Sequence, residues 1–303
     1  MRATVFGLDV QSDALPSYLQ GAASPATGRP LAASVLQDGS PKPDWPGDAD
    51  LVCDEHRPDG SILFQIEAHP DAGYLIHGPD YGTHRLSGDG RSLLSSPEEL
   101  PDAAWQRLLI AQVLPFAALL QGLEVFHASA VVINGKAIAL LGPSGSGKTS
   151  LALELCSRSA SFLADDVLAI DAQDQVLLAH PGTPVAGLDR LAPQSAGEVL
   201  ATDDRERMVR VSSAVAPAPL GALFFLERRQ DGPADPAFEP AADARMLLSA
   251  TFNYVLQSPE RLERLLEVCA LAATLRVERI VIGPGCETAH VAQGILQRLG
   301  DAT

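Results

Sequence analysis

Residues Gly142-Pro143-Ser144-Gly145-Ser146-Gly147-Lys148-Thr149 fit the spacing G-x-x-x-x-G-K-[ST], a pattern whose chemistry is the holding of nucleotide phosphates. Its glycines let the backbone wrap closely, so that loop N–H groups and the positive end of the following helix point at an anion. The binding segment runs from Gly142 to Ser150, with Lys148 placed to reach the β- and γ-phosphates and the Thr149 hydroxyl to bind Mg²⁺. Asp165 and Asp166 follow Lys148 by 17 and 18 residues, inside an otherwise apolar run. Burying charge without a partner is costly, and Mg²⁺ or a reacting hydroxyl would supply one. In that case one carboxylate orients or deprotonates the hydroxyl and the other supports the metal. The plainer alternative is a strand end with solvated acids.

These groups need elements to position them. Ala137–Leu141 is a short apolar run of strand type, and Ser150–Leu155 is rich in helix formers, so the glycine loop sits between strand and helix. Asn134-Gly135 between two apolar runs predicts a hairpin, because both residues accept the positive φ of a type I′ turn. Phe162–Ile170 reads as one strand with the two acids inside it. Strands and helices alternate from residue 122 onward, which predicts an α/β catalytic domain over 122–303. A helix from Pro259 puts Leu262, Leu265, Leu266 and Cys269 on one face.

Residues 1–121 predict a smaller β-rich N-terminal domain, with Ser61–Glu67 and Gly73–Gly78 as strands and Ser40–Asp48 as loop. It ends in a connecting helix. Ser96-Pro97-Glu98-Glu99 has the capping serine, first-turn proline and following acid of a helix start, and the apolar pattern continues to Leu120 with a bend at Pro115.

Composition narrows the class. A formal net charge of −16 counts against a nucleic-acid partner, which needs clustered Lys and Arg. Cys53, Cys156, Cys269 and Cys286 are scattered without C-x-x-C spacing, which predicts thiols in a reducing compartment and no zinc site. The N-terminus lacks a signal-peptide apolar stretch, and the Leu108–Leu120 run is interrupted by Gln112 and Pro115. A cytoplasmic protein with no membrane partner is expected.

Three features in register resemble the HPr kinase/phosphorylases and their relatives, whose catalytic domain is similar to phosphoenolpyruvate carboxykinase. His127 lies 15 residues before Gly142, the phosphate loop follows, and Leu163-Ala164-Asp165-Asp166 comes at the family's spacing. The resemblance implies an HPr-kinase-like fold and an ATP- and Mg²⁺-dependent kinase. It implies Asp165 as the base toward a substrate serine, Asp166 as its metal-side neighbour and His127 close to the transferred phosphate. On its residues alone, a lone His beside an apolar run such as His127 is more often a satisfied core histidine. The family's downstream Glu-Ile-Arg-Gly-Leu-Gly segment is missing; His180–Pro184 and Asp203–Arg210 stand in its place. That departure points away from HPr as substrate and toward the related kinases, which include those tailoring lasso-peptide precursors at a C-terminal serine.

Arg205, Arg207 and Arg210 could bring a cation over the γ-phosphate from a flexible loop, or form a solvated face with the neighbouring acids. The leading expectation is a kinase for a serine hydroxyl on a peptide or small protein. A small-metabolite kinase and a nucleotide-binding regulatory module are the alternatives. A peptide-sized groove would favour the first and a closed pocket the second.

Overall fold

The computed structural model describes residues 1–12, 15–22, 28–35, 44–97, 102–190, 197–202, 206–214, 216–241, 245–252 and 258–300. The first eight strands form one sheet: β1 (Arg2–Val5), β2 (Leu8–Ser12), β3 (Arg29–Val35), β4 (Asp50–His56), β5 (Ile62–His69), β6 (Gly73–Gly78), β7 (Gly82–Leu86) and β8 (Ser92–Ser96). Their order is β1-β2-β3-β8-β7-β6-β5-β4, antiparallel except where β3 pairs with β2 and β8. Alternation gives the sheet one apolar face, with Val5, Leu8, Leu31, Ile66, Ile76 and Leu86 at most 1% exposed.

A helical segment covers that face: α1 (Asp102–Leu108), a π-helical stretch (Leu109–Val113) and α2 (Leu114–Leu120). Ser96 ends β8 instead of capping the helix, and Glu98 and Glu99 lie outside the described residues. The irregularity expected at Pro115 falls just before it, with Pro115 tolerated in the first turn of α2. Ala103–Leu120 is long and apolar enough to cross a membrane by composition, yet 67% of it is buried, as in a core helix. Its core continues into Val125, Val167, Ala169 and Val185, so the first sheet and the next share packing.

The second half contains β9 (Glu124–Phe126), β10 (Ala128–Ile133), β11 (Lys136–Leu141), α3 (Lys148–Arg158), β12 (Ser161–Ala164), β13 (Leu168–Gln173), β14 (Val176–Ala179), β15 (Val185–Asp189), β16 (Val199–Thr202), β17 (Glu206–Arg210), β18 (Ala218–Arg228), β19 (Ala237–Pro240), α4 (Arg245–Leu248), α5 (Pro259–Ala272), β20 (Arg276–Ile282) and α6 (Thr288–Gly300). This is a mixed α/β arrangement. A nine-stranded sheet runs β12-β10-β11-β18-β14-β13-β9, with β20 on β18 and β19 on β20, while β15-β17-β16 make a separate small sheet. The buried β11 alternates its contacts. Ile138 and Leu140 pack with Leu151 and Leu155 of α3 and Ile295 of α6, whereas Ala137, Ala139 and Leu141 join Leu265, Val268 and Cys269 of α5. Asn134 and Gly135 form the two-residue hairpin turn at φ 51° and 75°.

The α5 face differs from the sequence expectation. Leu265 and Cys269 are buried, but Leu262 and Leu266 are 56% and 51% exposed. Glu124 on β9 pairs with Arg261 and Arg264, and this rotates the helix so that Arg261, Leu265, Val268 and Ala272 face inward.

Two histidines make stability pH-dependent. Burial lowers His84 and His180 from 6.5 to about 4, and both Nε2 atoms are buried without a hydrogen-bond partner. Between pH 6.5 and 4 the unfolded chain therefore binds more protons, and stability falls as pH falls through that window. Urea unfolding should lose about 1.4 kcal/mol per pH unit per histidine there, and His84→Gln should flatten the slope.

Candidate active site

Two chain breaks built side by side create the site. In the second-half sheet, Ala130 of β10 pairs with Ala164 of β12, and Phe126 of β9 with Leu168 of β13. Between those pairs, residues 165–167 leave the ladder opposite His127, which falls between β9 and β10, while Ala128 and Ser129 stay paired with Leu141 and Leu140 of β11. Phe162–Ile170 is thus not one strand. It divides at Asp165 and Asp166, with Asp166 at φ 65°, a conformation that Asp tolerates better than most residues.

The breaks put His127 and the two acids together. His127 Nδ1 is 3.1 Å from the Asp166 carbonyl oxygen and 3.2 Å from Asp166 Oδ1. Lys148 Nζ lies 3.0 Å from His127 Nε2 and donates to the carbonyls of Gly142 and Pro143 at 2.9 and 3.2 Å. An ammonium donates only, so His127 accepts at Nε2 and carries its proton at Nδ1. Burial lowers the Lys148 pKa, while Asp166 and Asp165 oppose that shift.

Asp165 and Asp166 have opposite environments. Asp165 Oδ1 accepts from Ser129 Oγ at 2.5 Å and Thr149 Oγ1 at 2.8 Å, and Oδ2 accepts the Gly187 N–H at 3.0 Å. Burial, reinforced by Asp166, raises the Asp165 carboxyl above its ordinary range despite these donors. The Asp166 side chain keeps 61% of its surface open. Atoms crowding it oppose ionisation, yet the His127 hydrogen bond, with the charges of Lys148 and Arg107, holds its carboxyl below the ordinary value.

The glycine loop lies between β11 and α3, where Gly142, Gly145 and Gly147 have φ of 143°, 77° and 97°. Arg228, at the end of β18, donates from Nε to the Ser146 carbonyl at 2.9 Å, and a Cβ at Gly147 would stand 2.9 Å from its Nη2. Ser144 and Ser150 are exposed on the loop and its helix. Arg228 is a cation that the sequence reading missed, because nothing local to a strand end 80 residues downstream marks it. Of the arginines expected above the phosphate, Arg207 and Arg210 stand elsewhere. Arg207 belongs to β17 and not to a flexible loop, on the face opposite Glu206 and Met208. Arg210 pairs with Glu198 and donates to the carbonyls of Gln20 and Ser17, and Arg205 lies outside the described residues.

Cavities lie on both flanks of the loop. One of about 90 Å³ is walled by Phe6, Arg107, Ile110, Thr149, Asp165, Asp166, Glu206 and Met208. Arg107 pairs with Glu206 at 2.6 Å across it. The other, of about 390 Å³, is bounded by His127, Gly142, Pro143, Phe225 and Arg279. Thr149 and the carboxylates are a hard, oxygen-only donor set that fits Mg²⁺, which takes most of its ligands from phosphates and water. Among the described residues no group of three His, Cys, Asp or Glu side chains forms a metal cage.

No protein-family model matches the chain, and no curated protein matches it significantly. Among solved structures, the Hpr(Ser) kinase/phosphatase from Coxiella burnetii aligns over 59% of this chain and 99% of its own, at 15% identity and a TM-score of 0.33. Similarity that slight assigns no activity, which has to come from the residues themselves.

Proposed function

We propose that the chain is an ATP- and Mg²⁺-dependent kinase that transfers phosphate to a hydroxyl. The observation that carries this is Asp166: an open carboxylate held beside Lys148 and His127, next to a phosphate-type loop. The chain is read as two domains, 1–121 and 122–303, with the acceptor entering beside the first.

Lys148 and the loop N–H groups hold the β- and γ-phosphates, and Arg228 adds positive charge beside them. Mg²⁺, bound by Thr149, would neutralise charge on the β- and γ-oxygens. Asp165 keeps Thr149 oriented by taking its hydroxyl proton in a hydrogen bond, which leaves the Thr149 oxygen free for the metal. Asp166 orients the acceptor hydroxyl and receives its proton as the new P–O bond forms and the bond to the bridging oxygen of ADP breaks. The hydrogen bonds favour this division of labour over the opposite one implied by the family resemblance, because all three donors around Asp165 are already satisfied by it.

The acceptor is a serine of a peptide or small protein, with the C-terminal serine of a lasso-peptide precursor as the specific candidate, and the setting is the cytoplasm. The small cavity also favours a second reading, a small-metabolite kinase, since about 90 Å³ admits one hydroxyl-bearing group and no folded segment. Incubation with γ-labelled ATP, Mg²⁺ and serine-bearing peptides should label the peptides. Undiminished hydrolysis to ADP with no label on any hydroxyl would overturn the kinase reading.

A further inference from the structure

The hairpin between β1 and β2 turns through Phe6-Gly7, since Val5 pairs with Leu8. Phe6 and Gly7 have φ of 54° and 76°, nearly the values of Asn134 and Gly135 in the hairpin before the phosphate loop, 51° and 75°. One chain thus builds the same turn twice. Asn is suited to its first position and Phe is not, because a bulky side chain is a genuine outlier at positive φ. The turn does not need the phenyl ring; what the ring touches explains it better.

Phe6 is 1% exposed and lines the small cavity with Thr149, Asp165 and Asp166. Its N–H donates to Pro181 O at 2.7 Å, and the next N–H along that segment, from Gly182, donates to Leu163 O at 2.8 Å, two residues before Asp165. Gly182 lets the ring come in: a Cβ there would lie 3.4 Å from Phe6 Cε1 and 3.1 Å from the Ala164 methyl. Gly7 is packed as closely, with a Cβ position 2.6 Å from Leu123 Cδ2. The strained turn is thereby fixed against the segment that carries the carboxylates.

We propose that Phe6 is a specificity-determining residue: its ring walls the acceptor cavity and limits the acceptor to a small primary hydroxyl. The inference rests on the kinase reading and adds to it the size of the acceptor and the part played by the first sheet. Phe, Ile110 and Met208 make that wall apolar, so a branched acceptor meets a closed surface where an unbranched one fits.

The test uses the full chain with Mg²⁺-ATP and two acceptors: N-acetylserinamide and N-acetylthreoninamide. Wild type should favour the serine amide by about tenfold in kcat/KM, the discrimination one methyl group can supply. Phe6→Ala should bring the two amides within about threefold of each other, with ATP affinity unchanged. Phe6→Leu, which keeps the site apolar, should fall between and decides the matter if the alanine variant does not fold. An unchanged amide ratio in folded variants that still turn over ATP overturns the role of Phe6 alone. Absence of any ATP turnover by wild type overturns the kinase reading, and this inference with it.

Discussion

Asp166→Asn is expected to lower phosphate transfer by about 10²- to 10⁴-fold, the usual contribution of a positioned base, while ATP affinity changes little. The amide keeps the size of the side chain and its contact with His127 but cannot receive the hydroxyl proton. Asp165→Asn should fail differently. Its side chain accepts from Ser129, Thr149 and the Gly187 N–H, and an amide NH₂ facing either side of that set meets a donor. Thr149 then loses its orientation, so the Mg²⁺ concentration needed for half-maximal rate should rise. Rate measurements across a Mg²⁺ series separate the two variants; a higher Mg²⁺ requirement in Asp166→Asn and an unchanged one in Asp165→Asn would exchange the roles.

The second large effect is on stability. Glu124 is fully buried, and its carboxylate meets Arg264 at 2.9 Å and the 4% exposed Arg261 at 3.5 Å. Burial raises Glu124 and lowers Arg261 despite their attraction, so the pair compensates desolvation only in part. Glu124→Ala removes the carboxylate from beside the buried Arg261 charge and should cost about 3–5 kcal/mol in urea unfolding. Glu124→Gln, which keeps a hydrogen-bonding acceptor, should cost less. Because β9 leads directly into His127, the alanine variant should also weaken the His127–Asp166 contact and reduce turnover.

What was legible in the sequence was local chemistry. Asn134-Gly135 gave away the hairpin because two adjacent residues must both accept positive φ, and Gly142–Thr149 declared a loop whose glycines are needed for its curvature. The spacing of Asp165 and Asp166 placed them near Lys148, but Phe162–Ile170 looked like one strand because periodicity does not show where a strand exchanges partners. That exchange, opposite the break at His127, is set by the long-range pairs Ala130–Ala164 and Phe126–Leu168. Arg107 was hidden in a helix whose apolar pattern dominated, and Arg228 in the end of a buried strand. Leu262 and Leu266 continued an apolar stripe on paper, yet the buried charge of Glu124 turned the inward face toward Arg261. Phe6 was invisible for a further reason: only the backbone φ marks a phenylalanine sitting where asparagine belongs.

The most direct test of the central claim is mass spectrometry of serine-bearing peptides and small hydroxyl compounds after incubation with Mg²⁺-ATP and either wild-type protein or Asp166→Asn. The account predicts a phosphorylated hydroxyl with wild type, ADP formed in equal amount, and neither product at a comparable rate with Asp166→Asn. Equal phosphorylation by both proteins would contradict the role of Asp166, and ATP bound tightly by wild type with no phosphorylated acceptor would contradict the kinase itself.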